Sequence, residues 1–528
     1  MSVAVAERSA PMQRITAGPG FNRWLIPPAA LAIHLCIGQA YATSVYKTSL
    51  VDHFDSSLTA VGLIFSIAIV MLGLSAAIFG RWVDRNGPRR AMIASALCWS
   101  TGFFIGGLGI FTSQLWLVYL GYGVIGGIGL GIGYISPVST LIKWFPDRPG
   151  LATGMAIMGF GGGAMIASPL SSTLMRAYDP DFDATGGVYS GPAVGGLFVT
   201  LGVIYLAVML FGAWLVRVPA PGWTPEGYDP SKEKKKALVT SGHVNANTAL
   251  TTPQFWLLWI ILFCNVTAGI GILEHAAPMI QDFFRVDGTT AIAGAAAAGF
   301  VGFLSLTNML GRFVWSSTSD IVGRKNIYLL YLGGGVLLYT LIATQGHVSV
   351  ILFIIISGVI LSFYGGGFAT IPAYLRDLFG TLEVGAIHGR LLIAWSCAGV
   401  MGPLIINGFL DARGEPGNLT AADYRPALFT MVGLLVVGLI ANVLVRAVDD
   451  KHHVSTGGQQ TPSGGTSNGT ASERASDTAS STFGDTQVRT VEPAGAPPVP
   501  VWLPWVVVGL PLAYGVVQTF INALQLFA

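Results

Sequence analysis

The sequence predicts an all-α protein that crosses a membrane many times. Three observations lead to this fold class: hydrophobic residues make up 52% of the 528 residues, charged residues make up only 10%, and the mean hydropathy is +0.64. A soluble domain has about 25% charged residues. The chain also has 69 glycines, and small residues let membrane helices approach closely. With a net charge of only +2, this composition excludes a nucleic-acid-binding module, a secreted disulfide-rich protein and an ordinary soluble enzyme.

Thirteen apolar stretches are long enough to cross a bilayer, for which about 20 residues are needed. The predicted spans are 24–45, 60–80, 92–112, 115–138, 150–173, 194–217, 254–275, 291–314, 327–345, 349–370, 387–410, 427–447 and 501–526. The first twenty residues lack a signal-peptide pattern, so we expect the first span to stay in the mature protein.

The spans form two groups of six, separated by a polar loop that contains a run of lysines. The predicted segments are a cytoplasmic tail, a six-helix half, a cytoplasmic central loop, a second six-helix half, a disordered cytoplasmic linker and an extra membrane helix, at 1–23, 24–217, 218–253, 254–447, 448–500 and 501–528. The linker is rich in Ser, Thr, Gly and Pro and has too few large apolar residues to bury a core.

Basic residues fall mainly on one side of this topology. If the N-terminus is cytoplasmic, the outer segments hold only Lys47, Arg176, Arg285, Arg413 and Arg425. Cytoplasmic loops carry the excess of Lys and Arg in membrane proteins. We therefore expect a multi-pass protein of the cytoplasmic (inner) membrane, with its N-terminus inside and, after the thirteenth span, its C-terminus outside.

One motif occurs twice, each time after the second predicted span of a half. The copies are GRWVDRNGPRR at 80–90 and SSTSDIVGRK at 316–325, and Asp84 and Gly87 in the first have the spacing of Asp320 and Gly323 in the second. The separation of 236 residues is close to the offset of 230 residues between the first spans of the two halves. This indicates an internal duplication, and two related halves with a site between them are typical of secondary transporters.

The first copy resembles the loop motif G-x-x-x-D-R-x-G-R-R of the major facilitator superfamily (MFS), with Pro88 in place of the first arginine of the pair. The resemblance implies the MFS fold, two six-helix halves, followed here by one extra helix. In that family the aspartate and the basic residues form a cytoplasmic cluster that latches the halves together. The gating residues that it implies are Gly80, Asp84, Arg85, Gly87, Arg89, Arg90, Asp320 and Gly323. The alternative is that the arginines act only as topology signals.

Further segments resemble the oxalate:formate antiporter family, whose members exchange or import small carboxylates. They are NRW at 22–24, GQAYATSVY at 38–46, GGIGLGIGY at 126–134, KWFPDR at 143–148, NVTAG at 265–269 and NMLGR at 308–312. The segment 502–527 resembles a short single-span small subunit of such transporters, here joined through the linker.

Arg312 is the main candidate for binding a carboxylate. An arginine at membrane depth is costly and normally faces the bundle interior or a cavity, and its guanidinium can hold a carboxylate through two hydrogen bonds. In the family the matching arginine binds the anion. The alternative is that Arg312 extends to the membrane surface. The resemblance also places a lysine of the oxalate:formate antiporter family in helix 11 at the position of Trp395, which is therefore a further candidate for binding the substrate. One cation suits a monoanion better than a dianion.

Other polar residues in apolar spans are candidates for lining the site or for coupling. Tyr41, Tyr134 and Tyr364 carry hydroxyls that suit a carboxylate, whereas His34 and Asn265 are expected to pack between helices. Related monocarboxylate porters have an aspartate four residues before the helix 8 arginine. Asn308 occupies that position and cannot titrate, so the substitutes for proton coupling are His34, or Glu274 and His275.

The predicted function is secondary transport of small carboxylates by alternating access, with monocarboxylates of the lactate, pyruvate or formate class as substrates. The sequence leaves proton symport and anion exchange open, and oxalate/formate exchange or a carboxylate-sensing receptor are the alternatives. No enzymatic activity, cofactor, metal site or nucleic-acid partner is expected. The expected partners are a small carboxylate, protons and the lipid bilayer, with a monomeric transport unit on which the extra helix could pack.

Overall fold

The fold is almost entirely helical, which confirms the predicted class. The computed structural model describes residues 15–18, 20–56, 58–179, 189–228, 238–240, 242–286, 289–290, 292, 294–413, 419–454 and 500–524. In these ranges, eleven stretches are long and apolar enough to cross a membrane. The described strands are two residues each, Arg285–Val286 paired antiparallel with Thr289–Thr290.

The first half contains six long helices. They are α1 (Ile26–Ile37), α2 (Leu58–Asn86), α3 (Pro88–Phe111), α4 (Gly127–Trp144), α5 (Pro149–Tyr178) and α6 (Gly191–Leu215). The first predicted span is not one regular helix, because α1 tightens into a 3₁₀ segment, Gly38–Ala42, before a short helix, Ser44–His53. A side chain at Gly38 would collide with the backbone of Phe160, so α1 and α5 touch there. A π-helical segment, Tyr119–Gly126, leads into α4.

The second half repeats this plan. Its helices are α7 (Pro253–Phe283), α8 (Gly294–Val322), α9 (Arg324–Gln345), α10 (Val350–Phe379), α11 in two segments (Val384–Leu391 and Ile393–Asp411) and α12 (Ala421–Leu444). Two boundaries differ from the expectation. Asp84 and Asp320 lie in the last turns of α2 and α8 and not in the loops that follow, because these helices run to Asn86 and Val322.

The duplication is visible in matching backbone and side-chain contacts. Gly87 and Gly323 have φ of 84° and 93° and directly precede α3 and α9. In the first half, Arg89 donates to the carbonyls of 213, 214 and 216 at the end of α6. In the second half, Lys325 donates to the carbonyls of 443 and 445 at the end of α12. A cation at the same place therefore satisfies the free carbonyls of the last helix in each half.

The halves meet along two pairs of helices, α2 with α11 and α5 with α8. Glycines allow close approach at both: a side chain at Gly80 or Gly389 of one pair would collide with the backbone of Ala386 or Ala76, and one at Gly150 would collide with the Ser316 carbonyl. We call the end of the bundle where Asp84 and Asp320 lie the motif end. Small residues at helix contacts are typical of membrane proteins.

The segments around the halves are more ordered than expected. In the central loop, the backbone amides of Thr240 and Val244 donate hydrogen bonds of 2.8 and 2.9 Å to the carbonyls of Asp377 and Phe379 in the last turn of α10. Residues 448–454 of the predicted linker also have structure, since His453 contacts Thr240 at 2.9 Å. Burial, and then the neighbouring His453, lowers the pKa of His243. The rest of the linker, from 455 to 499, lies outside the described residues.

The extra helix, α13 (Trp502–Leu524), contacts both halves. Its Trp505 indole donates to the Trp24 carbonyl at 3.0 Å, just before α1. Val508 is buried against Leu31 and Ala32 of α1. Farther along, Leu512 and Val516 pack against a cluster formed by Met165 of α5 with Leu306 and Met309 of α8. The helix therefore covers the contact between α5 and α8.

Candidate functional site

Arg312 lies at the centre of the contact between the halves. Its side chain is fully buried in α8, so it does not extend to the membrane surface. Nε donates to Asn308 Oδ1 at 3.1 Å, and Nη1 lies 3.4 Å from the Ile157 carbonyl of α5. Within the described residues, Nη2 makes no hydrogen bond of normal geometry, the Tyr41 hydroxyl being a looser neighbour of the guanidinium, and the guanidinium forms no ion pair. A buried cation with an unused donor is a suitable site for an anion.

Aromatic rings surround this guanidinium. Its Cζ lies 5.8 Å from the ring centre of Phe160 and 5.3 Å from that of Phe368. The Trp395 ring centre lies 5.3 Å from Tyr134, 5.4 Å from Phe160 and 4.6 Å from Phe368. We call these four rings, contributed by α4, α5, α10 and α11, the aromatic box. The rings give the guanidinium apolar surroundings, in which electrostatic interactions are stronger than in water.

Several buried donors close to Arg312 make no hydrogen bond of normal geometry to a described residue. The hydroxyls of Tyr41, Tyr134 and Tyr364 and Nε1 of Trp395 are all buried, and none makes a hydrogen bond of normal geometry to a described residue. The charge of Arg312 acts on all three tyrosines. Buried polar groups are normally hydrogen-bonded, and a carboxylate offers about four acceptor positions. The five sequence-predicted substrate residues thus surround one place, although their role in binding stays a prediction.

Three of the five residues predicted to couple or line the site, His34, Asn308 and Asn265, lie near the aromatic box. His34 stacks on Tyr134 with ring centres 5.2 Å apart, and its Nε2 lies 3.1 Å from the Tyr134 carbonyl. Asn308 is bonded to Arg312. Asn265 borders a narrow cavity next to Tyr364. These three are therefore near the aromatic box.

Glu274 and His275 lie farther along α7. His275 is ten residues beyond Asn265, which is about 15 Å along a helix, so the structure does not bring it next to Arg312. The side chain of Glu274 lies outside the described residues.

Three residues near the site were missed by the sequence analysis. Phe160 and Phe368 complete the box, and the available signal was their position beside glycine runs in apolar helices. The third is His388 in the first segment of α11. It is 2% exposed, its ring centre lies 5.9 Å from that of Tyr134, and its Nε2 has no hydrogen-bond partner among the described residues.

At the motif end, Asp320 closes the contact between α8 and α5. Its two carboxylate oxygens accept hydrogen bonds from the backbone amides of Gly150 at 2.8 Å and Leu151 at 2.9 Å. These are the second and third residues of α5, whose amides are free at a helix start. Arg324 pairs with Asp320 at 2.5 Å and with Asp377 at 3.2 Å. We call the contact of Asp320 with the α5 amides the second latch.

Asp84 makes the corresponding contact between α2 and α11. One oxygen accepts from the amide of Ala386 at 2.9 Å, the third residue of α11. The other oxygen makes no hydrogen bond of normal geometry in the described part of the chain; the Gly385 amide is a weaker donor to this carboxylate, and Lys143 Nζ lies 4.0 Å from the oxygen. We call the contact of Asp84 with Ala386 the first latch. In both latches a carboxylate from one half caps a helix of the other half, which favours the closed motif end.

The remaining motif residues have different surroundings. Gly80 allows α2 to pass close to Ala386. Gly87 and Gly323 form the turns into α3 and α9. Arg85 and Arg90 are exposed, and Arg89 caps α6 within its own half. The described contacts of Asp84 are with the amide of Ala386 in α11 and with Lys143, and the gating role of the motif residues stays a prediction.

Comparisons with known proteins agree with this architecture. The family model described as Major Facilitator Superfamily matches residues 29–312 and 298–527. The oxalate:formate antiporter of Oxalobacter formigenes is 26% identical over 382 residues, which are 72% of this chain and 83% of that protein. Human monocarboxylate transporter 11 is 24% identical over 415 residues, 77% of this chain and 80% of the relative.

A solved structure gives the same fold. The Escherichia coli fucose:proton symporter FucP superposes with a TM-score of 0.57 at 15% sequence identity, over 80% of this chain and 99% of that one. The predicted superfamily and the resemblance to the oxalate:formate antiporter are thus confirmed, whereas the resemblance of the tail to a small subunit stays a prediction. The chain belongs to the Major Facilitator Superfamily of multi-pass membrane transporters.

Proposed function

We propose that this protein is a secondary transporter that moves small carboxylates, chiefly monocarboxylates, through the membrane by alternating access. The observation that carries the proposal is the buried guanidinium of Arg312, whose Nη2 makes no hydrogen bond of normal geometry to a described residue and which lies among four further donors in the same state. The similarity to an oxalate:formate antiporter and to a monocarboxylate transporter supports the same substrate class.

A monoanion fits these residues better than a dianion. Arg312 supplies one positive charge, and the position where the oxalate antiporter family has a lysine is Trp395, an uncharged donor. A second carboxylate placed in the aromatic box would face ring carbons and at most hydroxyl or indole donors, and an unpaired charge in a dry site is costly. Oxalate/formate exchange is the second candidate, favoured by the similarity to the antiporter.

The mechanism follows from the distribution of the donors over both halves. Tyr41 and Tyr134 belong to the first half, and Arg312, Tyr364 and Trp395 belong to the second. A bound anion contacts both, so that binding energy draws the halves together around it. Release toward the motif end requires that both latches separate, because they join α2 to α11 and α8 to α5.

The orientation and assembly are part of the same proposal. We infer that the motif end faces the cytoplasm of an inner membrane, since basic residues are concentrated in the segments on that side. One chain carries all the donors of the candidate site, so the transport unit is a monomer. Its contacts with α1, α5 and α8 make α13 a part of that unit.

Uptake into vesicles that contain the purified protein tests the proposal. Labelled lactate, pyruvate, formate and oxalate are offered with and without the same anion inside and with an inward proton gradient. We expect uptake of a monocarboxylate, and its loss in Arg312→Ala, since truncating one partner of a buried charge pair costs about 2–5 kcal/mol. Arg413→Ala, which removes an exposed arginine, is the matched control and should transport normally.

Two results would contradict the proposal. Transport that survives in Arg312→Ala would exclude this guanidinium as the anion site. Absence of uptake of all four anions by folded wild-type protein would exclude the substrate class.

A further inference from the structure

A second buried polar group, His388, lies next to the aromatic box on its motif-end side. His388 is nearly inaccessible, and its Nε2 makes no hydrogen bond to a described residue. His388 adjoins Tyr134, one of the four rings of the box, whose ring centre lies 5.9 Å from that of His388 and 5.3 Å from that of Trp395. A buried imidazole with an unused nitrogen can take up a proton close to the bound anion.

His388 differs from the other histidine at this place. Nε2 of His34 lies against the carbonyl of Tyr134, which can only accept a hydrogen bond, so this nitrogen carries a proton and is occupied. Nδ1 of His34 has no hydrogen-bond partner among the described residues, so the difference between the two histidines lies in where they stand relative to the halves. His34 and Tyr134 also belong to the same half. His388, by contrast, belongs to α11 and faces Tyr134 across the boundary between the halves. It is therefore the histidine whose surroundings change when the halves separate.

The charged groups on the elements around His388 have partners of their own. Asp84 of α2 is bonded to Ala386, with Lys143 of α4 close by. On the same segment of α11 and just before it, Arg390 donates to the Ala246 carbonyl, and Glu383 accepts from the Ala246 amide.

The titratable residues of α10 near this end also face elsewhere. Tyr374 packs on Tyr328 of α9, and Asp377 pairs with Arg324 and Arg376. Across the box lies the guanidinium of Arg312, whose charge acts on His34 and Tyr134. No carboxylate among the described contacts lies against the His388 ring, so its charge is left for a transported ion to balance.

We propose that His388 carries the proton that this transporter moves together with a monocarboxylate. The inference rests on the proposed function. With this proton, the site has a net charge of about +1 whether it moves across the membrane empty or loaded. The empty site holds Arg312 as its single positive charge, and the loaded site holds Arg312, the anion and a protonated His388. A monoanion that entered alone would oppose an inside-negative membrane potential at a cost that rises with the potential.

The position of His388 links the proton to the first latch. His388 lies two residues beyond Ala386, the amide that Asp84 accepts from, and next to Gly389, where α11 touches the backbone of Ala76 in α2. With the motif end closed, this contact separates His388 from the motif side. When α11 leaves α2, His388 becomes accessible from that side. The imidazole thus gains a proton while the site opens to one face and loses it at the other, with no other bond made or broken.

The experiment separates proton coupling from anion binding in the same vesicles. A gradient of one pH unit supports about tenfold accumulation of an anion that enters with one proton. For wild type, labelled lactate or pyruvate should accumulate in this gradient, and a pH-sensitive dye in the lumen should report a fall in internal pH. In His388→Gln and His388→Asn, we expect both signals to disappear, while exchange of internal for external lactate at equal pH continues near the wild-type rate. His347→Gln, which changes an exposed histidine just beyond the end of α9, is the control and should behave as wild type.

Proton uptake on lactate binding to the detergent-purified protein is a second readout, and it does not depend on transport. Calorimetric titration with lactate in buffers of different ionisation enthalpy should report uptake of about one proton per anion, and His388→Gln should reduce this to near zero. Accumulation that persists in both His388 variants would overturn the proposal. Exchange without any proton movement in wild type would also overturn it while leaving the proposed function intact. Loss of exchange in Arg312→Ala, with exchange retained in the His388 variants, would support separate residues for anion binding and for proton transfer.

Discussion

The two latches occupy equivalent places in the duplicated halves, but they are not equally strong. Asp320 uses both carboxylate oxygens on two free amides of α5 and is paired with Arg324. Asp84 uses one oxygen on one amide of α11, and Lys143 is at the limit of ion-pair distance. In sequence, the copy around Asp84 is the better match to the family motif, whereas the copy around Asp320 is degenerate. Similarity to a motif therefore does not rank the contacts that the motif makes.

Removing Asp320 should have the largest effect on the closed motif end. Asp320→Ala deletes two hydrogen bonds to a charged acceptor, each worth about 1.5–3 kcal/mol, and leaves two helix-start amides unpaired. Spin labels on cysteines introduced at the exposed Arg90 and Asn326, with the four native cysteines replaced by alanine, report the separation of the halves. We expect the longer, open distance to become the major population in this variant.

Asp320→Asn is the control, because it keeps an acceptor oxygen without the charge and should give an intermediate population. If Asp320→Ala leaves the distance distribution unchanged, the second latch does not hold the halves together.

Gly150→Ala tests the same latch through space rather than charge. A methyl group at Gly150 would collide with the Ser316 carbonyl and with Asp320, and backbone atoms cannot rotate away. Overpacking of this kind costs about 1–3 kcal/mol, so the open distance should gain population, though less than in Asp320→Ala. The matched variant, Gly385→Ala in the first latch, meets only the carboxylate of Asp84, a side chain that can move. An equal effect of the two alanines would contradict the comparison of the latches.

Asp84→Ala should open the motif end less than Asp320→Ala does. It removes one amide hydrogen bond and one favourable charge at the start of α11, together about 2–4 kcal/mol. The same labelled pair measures the change. A larger effect than that of Asp320→Ala would reverse the ranking and would indicate that Lys143 or the exposed motif arginines contribute more than the distances imply.

The sequence predicted more of the fold than of the geometry inside it. Span length and composition were enough for the helices, since the bilayer fixes both. The latch acceptors were not predictable, because Ala386, Gly150 and Leu151 contribute backbone amides that carry no sequence signature. The break of α11 at Leu392 was not expected either.

The candidate site shows the same division. Arg312 and the tyrosines could be named from the sequence because polar groups are rare in apolar spans. Phe160 and Phe368 could not, since an aromatic ring in such a span is the ordinary case and only the fold brings these two against the guanidinium. His388 has a rare residue type as its signal, but its meaning depends on Tyr134, which comes from a helix about 250 residues away in the chain and is brought near by packing alone.

Lys143→Gln should give the smallest effect and decides what holds the first latch. Its Nζ is 4.0 Å from Asp84, and the lysine is partly exposed, so the pair is worth at most about 1 kcal/mol and weakens with salt. We expect a small gain of the open distance at low ionic strength and none at high ionic strength. The amide of Ala386 is untouched by this change, so a shift as large as that of Asp84→Ala would mean that the ion pair, and not the helix start, holds α2 against α11.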